Sequence, residues 1–114
     1  MEIFELEGKR FEIALEMLNE GDYIIYDKIG FQINDNKVKI YVWSDYINLE
    51  NITKDIAMRD LNNAKTRLAD ILDKSKGLSD ILKDKEFIYS VNLDEGKSGI
   101  NICEEEKGSI KWFI

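Results

Sequence analysis

Three glutamates, Glu12, Glu16 and Glu20, stand at i, i+4 and i+8 in a segment whose apolar residues repeat with helical spacing. On a helix they form one carboxylate ridge, repeating about every 6 Å along the axis, close to the phosphate spacing along one nucleic-acid strand. No base on that side offsets them, and like charges at this spacing cost about 0.2–0.5 kcal/mol per pair. Such a ridge suits electrostatic attraction of a basic protein surface, in the manner of a nucleic-acid mimic. The plainer alternative is a solvated face, since glutamate is simply a good helix former.

A second constellation is Lys39, Tyr41 and Trp43, which alternate with Val38, Ile40 and Val42. On a strand the two sets point to opposite faces. Two rings and a cation on an open face make a platform for a protein partner or a stacked base. The alternative is that a helix or a second copy covers them. Ala57, Leu61, Ala64, Leu68 and Ile71 form a third set, a narrow 4-3-4-3 apolar seam. It can pack on the chain's own sheet or serve as a dimer seam, its two alanines allowing close approach.

The residues also exclude much chemistry. There is no histidine, no proline and one cysteine, Cys103. Histidine is the usual base near neutral pH and the commonest metal ligand. Cys103 stands before Glu104, Glu105 and Glu106, a neighbourhood that disfavours its thiolate. Asp94-Glu95 and Glu104-Glu105-Glu106 are read as two loops, but they lack the spacing of an EF-hand site and are expected at solvated hairpin tips. No spacing singles out one catalytic pair among 23 acids. The expectation is a protein that is not an enzyme, with no catalytic residues, no metal and no cofactor.

Size and charge narrow the class. The chain of 114 residues is 44% hydrophobic, enough for one domain with its own core. No apolar run approaches the roughly 20 residues of a membrane span, and the acidic start does not resemble a secretory signal. A lone cysteine fits a reducing, cytoplasmic compartment. The net charge of −7 argues against direct nucleic-acid binding. It is uneven: residues 1–22 hold seven acids and two bases, whereas residues 51–85 hold six acids and eight bases. Abundant Ile, Lys and Asn hint at a low-GC bacterium or its phages.

These groups must be positioned by a small set of elements. Phe11, Ala14, Leu15 and Leu18 predict a helix over Lys9 to Asn19, with Gly21 as its end. Tyr23 to Tyr26, Ile29 to Ile33 and Lys37 to Trp43 predict three strands, the last two joined by a turn at Asn34-Asp35-Asn36. Asn51 or Thr53 can cap the long central helix that carries the seam. Gly77 is expected to end or kink it, with Ser79 as the next cap. Phe87 to Leu93, Ile100 to Cys103 and Ile110 to Ile114 predict three more strands, the last two joined by a turn over Glu104 to Gly108. The order α-βββ-α-βββ implies a single α+β domain over residues 1–114. Its antiparallel sheet is packed on one face by the long central helix and the short N-terminal one.

The run from Phe11 to Gly21, leading into a strand, resembles the opening of small phage proteins, nucleotide-sequestering anti-defence proteins among them. The basic, Trp-rich stretch those carry after the glycine is missing here, so their ligand pocket does not carry over. Acidic chaperones of bacterial secretion systems share the size, the charge and the helix–three-strand–helix order, but typically end in a helix. From the residues themselves we expect a non-catalytic acidic binding protein that inhibits or masks a basic protein partner, such as an anti-defence or immunity-type inhibitor. The alternatives are a nucleotide-type small-molecule binding module and an acidic homodimeric chaperone.

Overall fold

The computed structural model describes residues 9–11, 13, 14, 17, 23–26, 29–44, 52–93 and 100–113. Six strands, β1 (Tyr23–Tyr26), β2 (Ile29–Asn34), β3 (Lys37–Ser44), β4 (Glu86–Leu93), β5 (Ile100–Glu106) and β6 (Ser109–Trp112), form one sheet in sequence order. Between β3 and β4 come two helices, α1 (Lys54–Lys74) and α2 (Lys76–Leu82). Lys9, Arg10, Phe11, Ile13, Ala14 and Met17 are also helical, as the N-terminal periodicity predicts. This is an α+β fold with a mixed sheet.

The mixture is a correction to the antiparallel expectation. Four of the five joints are antiparallel, but β3 and β4 run parallel, from Lys37↔Glu86 to Ser44↔Leu93. The cause is the connection. A helix of 21 residues spans about 32 Å, carrying the chain back to where β3 began, and parallel strands require such a crossover. Glu86 N–H then donates to Asn36 O at 2.9 Å, fixing the start of β4 beside the β2–β3 turn.

Helix boundaries follow side-chain caps. Thr53 Oγ1 accepts from Ile56 N–H at 3.2 Å and begins α1; Asn51, the other cap candidate, lies outside the described residues. The break comes at Ser75 rather than at Gly77. Ser75 is extended (φ −128°, ψ 99°), its N–H donates to Ile71 O, and its Oγ accepts from Leu78 N–H at 3.4 Å. One serine thus closes α1 and opens α2, so Gly77 falls in the first turn of α2 and Ser79 inside it. The second hairpin is tighter than expected. Glu104, Glu105 and Glu106 belong to β5, and the turn is Lys107-Gly108, with φ of +54° and +81°. Both values are those of a type I′ turn, in which glycine bears the second positive φ without strain.

The core lies between the helices and one sheet face. Leu68, Ile71, Leu78 and Leu82 pack with Ile29, Phe31, Val38 and Ile40, and Phe11 joins them with its ring 5.0 Å from that of Phe31. Ala57 and Leu61 pack with Ile52, Val91, Leu93, Ile102 and Cys103. All five seam residues, Ala57, Leu61, Ala64, Leu68 and Ile71, are buried within the one chain. That corrects the candidate dimer seam: its apolar surface is already covered by the chain's own sheet, where burial of each large side chain contributes about 1.5–3 kcal/mol. Register slips between Val91 and Asn92, leaving Ile102 as the extra residue of a β-bulge. Ile102 and Cys103 are therefore both buried instead of facing opposite ways. Among the described residues no helix is long and apolar enough to cross a membrane.

Candidate functional site

The second face of the sheet carries the polar residues of alternate positions. Register aligns Gly30, Tyr41, Ser90, Glu104 and Lys111 in one row across five strands. Gln32, Lys39, Ile88, Glu106 and Ser109 form the neighbouring row, while Trp43, Asn92 and Asn101 form a shorter one on the other side. Lys39, Tyr41 and Trp43 thus share a face opposite buried Val38 and Ile40, and each is half-buried.

Two ion pairs cross this face. Lys39 Nζ sits 2.5 Å from Glu104 Oε1, and Lys37 Nζ donates to Glu106 Oε1 at 2.9 Å. Each lysine starts on β3 and ends on β5, so each pair spans β4, a reach of about 10 Å between strand axes. Burial by itself lowers the pKa of Lys39, but the hydrogen bond to Glu104 and the nearby Tyr41 and Glu104 charges outweigh it and raise the ammonium above its usual value. Lys37 is likewise raised by its hydrogen bond to Glu106, which is itself lowered by that bond. Lys107 Nζ lies 3.6 Å from Glu86 Oε1. Charge on this face is largely balanced in pairs.

Aromatic and amide groups lie beside the pairs. Tyr41 OH donates to Gln32 Oε1 at 2.8 Å, and its ring lies nearly parallel to that of Trp43, with centroids 6.5 Å apart at 21°. Lys39 Nζ is 5.3 Å from the Tyr41 centroid. Ser90, which is 1% exposed, has its Oγ 3.4 Å from Asn92 Oδ1 and 3.3 Å from Asn101 Oδ1. Asn101 Nδ2 in turn donates to Glu104 Oε1 at 2.9 Å. Gln32, Tyr41, Lys39, Glu104, Asn101, Ser90 and Asn92 form one connected cluster. Ser90, Asn92 and Asn101 carry no expected role from the sequence, and Glu104 is expected there in a solvated turn rather than in this cluster. The signal available there was two asparagines in strands otherwise rich in apolar residues, where asparagine is disfavoured.

The Glu104–Glu106 run is not a solvated hairpin tip. Glu105 points to the helix side, is 8% exposed, and pairs with Lys65 of α1. Lys65 Nζ also stands 5.6 Å from the Tyr89 ring, and burial, then the Glu105 charge, raises the Tyr89 phenol. Asp60 Oδ1 is 3.2 Å from Arg59 Nη2, while its buried Oδ2 has no hydrogen-bond partner among the described residues. Burial first, then Asp60, Glu105 and Glu104, pushes the Cys103 thiol up to about 11. Such a thiol is a poor nucleophile at neutral pH. Among the described residues no group of three or more His, Cys, Asp or Glu is placed to hold a metal ion.

The ridge residues Glu12, Glu16 and Glu20 lie outside the described residues, as do Asp94 and Glu95. Interleaved with that ridge in the sequence are Ile13 and Met17, which are helical, 53% and 77% exposed, and one turn apart. Compared with protein-family models, curated proteins and solved structures, the chain matches none.

Proposed function

We propose that this chain is a non-catalytic, cytoplasmic binding protein that docks its N-terminal helix on a basic protein partner and masks that partner's surface. The observation that carries the reading is the exposed Ile13–Met17 pair. Phe11 of the same helix is buried in the core, so the helix is anchored by one side and presents apolar side chains on another. An amphipathic helix seated in a groove is read through such i, i+4 anchors, and methionine adapts well to a partner surface.

Charge supports a basic partner. The described residues hold eleven Asp and Glu against fourteen Lys and Arg. The whole chain nevertheless has a net charge of −7, so its acidic excess belongs to the remaining sequence, Glu12, Glu16 and Glu20 included. Carboxylates around an apolar anchor steer association and select against acidic competitors. An inhibitor of immunity or anti-defence type fits this combination, and the single buried Cys103 suits a reducing compartment.

The test is capture from bacterial lysate with tagged wild-type protein and with an Ile13→Ser/Met17→Ser variant, after circular dichroism shows that both fold alike. The reading expects a stoichiometric basic protein that is released by salt and is lost with the variant. Equal capture of every protein by both forms would overturn it.

A further inference from the structure

We propose that the outer edge of β6 takes an extended acidic segment of a partner protein as an added strand, its carboxylates received by the hollow at Lys107, Ser109 and Lys111. This edge is separate from the N-terminal helix, and the proposal does not rest on the docking assigned to that helix.

Register shows what the edge offers. β6 is the last strand of the sheet, and among the described residues no strand pairs with its outer side. The two-residue turn makes Glu106 and Ser109 a hydrogen-bonded pair, and in an antiparallel ladder such pairs alternate with non-bonded ones. Ser109 and Lys111 therefore turn their backbone groups to β5. Phe113 N–H does the same, donating to Ile102 O at 3.0 Å. The backbone N–H and C=O groups of Ile110 and Trp112 point the other way, out of the sheet. Such an edge is a template for another strand, whose main-chain hydrogen bonds supply affinity.

Charge decides the occupant. Lys107, Ser109 and Lys111 line an open hollow of about 480 Å³ on the polar face, together with Glu104 and Glu106. Those two glutamates are already matched by Lys39 and Lys37. Lys111 has no carboxylate partner among the described residues, and its Nζ stands 5.4 Å from the Phe113 ring. Lys107 is 72% exposed and reaches only Glu86, at 3.6 Å. On the helix side, Lys54 Nζ lies 5.1 Å from the Trp112 ring. A chain of net charge −7 thus carries a cationic margin around Ile110 and Trp112. A second copy is disfavoured there, because it would bring its own lysines to the same edge, and edge lysines are a common guard against self-pairing.

Pleating fixes the pattern of the incoming segment. Its residues opposite Ser109 and Lys111 share their face and meet the ammonium groups. Those opposite Ile110 and Trp112 fall on the helix side, beside half-buried apolar side chains. Opposite charges across a strand pair are favourable, and apolar neighbours pack. The complement is a run in which Glu or Asp alternates with Val or Ile.

The test is a titration of the full chain, isotope-labelled, with a short synthetic peptide that alternates glutamate and valine, and with a counterpart carrying lysine for every glutamate. The proposal expects the acidic peptide alone to shift the Ile110 and Trp112 backbone amides saturably and to slow their exchange with deuterated water. Charge reversal at either exposed lysine, Lys107→Glu or Lys111→Glu, should weaken that binding about tenfold. No shift at millimolar acidic peptide would overturn the proposal, as would equal binding of the lysine peptide. So would unchanged affinity in both reversal variants, or self-association through β6 that slows exchange of the same amides without any peptide.

Discussion

Replacing Lys65 by methionine removes the cation that pairs with Glu105 among the described residues and leaves a carboxylate that is 90% buried facing Tyr89. Methionine conserves most of the lysine stem, so packing changes little and the effect is electrostatic. Breaking a fully buried pair in this way costs about 3–5 kcal/mol. Lys65 is 38% exposed, and water partly screens the pair, so the expected loss is nearer 2–3 kcal/mol. Urea denaturation reads it directly. With a slope of about 1–2 kcal/mol per molar for a chain of this size, the midpoint should fall by roughly 1–3 M with the slope unchanged. The double variant Lys65→Met/Glu105→Leu should recover most of the loss, because a buried pair and an apolar replacement of similar volume have similar stability. A Lys65→Met midpoint within about 0.3 M of wild type, roughly 0.5 kcal/mol, would refute the assignment of Glu105 to the helix side.

Three further outcomes are expected. Ser75→Ala removes a hydroxyl cap and should cost about 1 kcal/mol, whereas Ser79→Ala inside α2 should cost a few tenths at most; thermal melts of the two variants distinguish these. Cys103, fully buried with its thiol pushed up to about 11, should resist thiol reagents at pH 8 in the native protein and react at once in urea; rapid native labelling would contradict its burial. Glu106 is lowered from 4.5 by Lys37, so the stability it contributes is present above the unfolded value and lost as pH falls through the lower folded one. Its carboxyl should titrate below 4.5 by NMR and move up toward the ordinary value in Lys37→Met, the weaker pull of Lys107 remaining.

Strands were legible because alternation is a direct consequence of the pleat: Val38 and Ile40 against Lys39 and Tyr41 predicts both the strand and its two faces. Direction was not. A period of two reads the same for parallel and antiparallel neighbours, and only the geometry of the α1–α2 crossover turns the β3–β4 joint parallel. Gly77 looked like the helix end because glycine favours C-terminal caps, but a serine in extended conformation can cap two helices at once, and Ser75 does so. The Glu104–Glu106 run looked like a turn from charge content alone. In the fold its members alternate outward to Lys39 and Lys37 and inward to Lys65, three partners on two distant elements. The aromatic half of the candidate site was visible in the strand pattern. The amide half was not, since the bulge that sets Asn101 opposite Asn92 leaves no mark in the spacing.

The central claim is that carboxylates on the N-terminal segment draw this chain to a basic partner. The most direct measurement is the association rate of the captured partner with wild-type protein and with the Glu12→Lys/Glu16→Lys/Glu20→Lys variant, across a range of salt concentrations. The account predicts a rate that is steeply salt-dependent for wild type and much slower at low salt for the variant, the two converging as salt rises. Identical rates at low salt would contradict it.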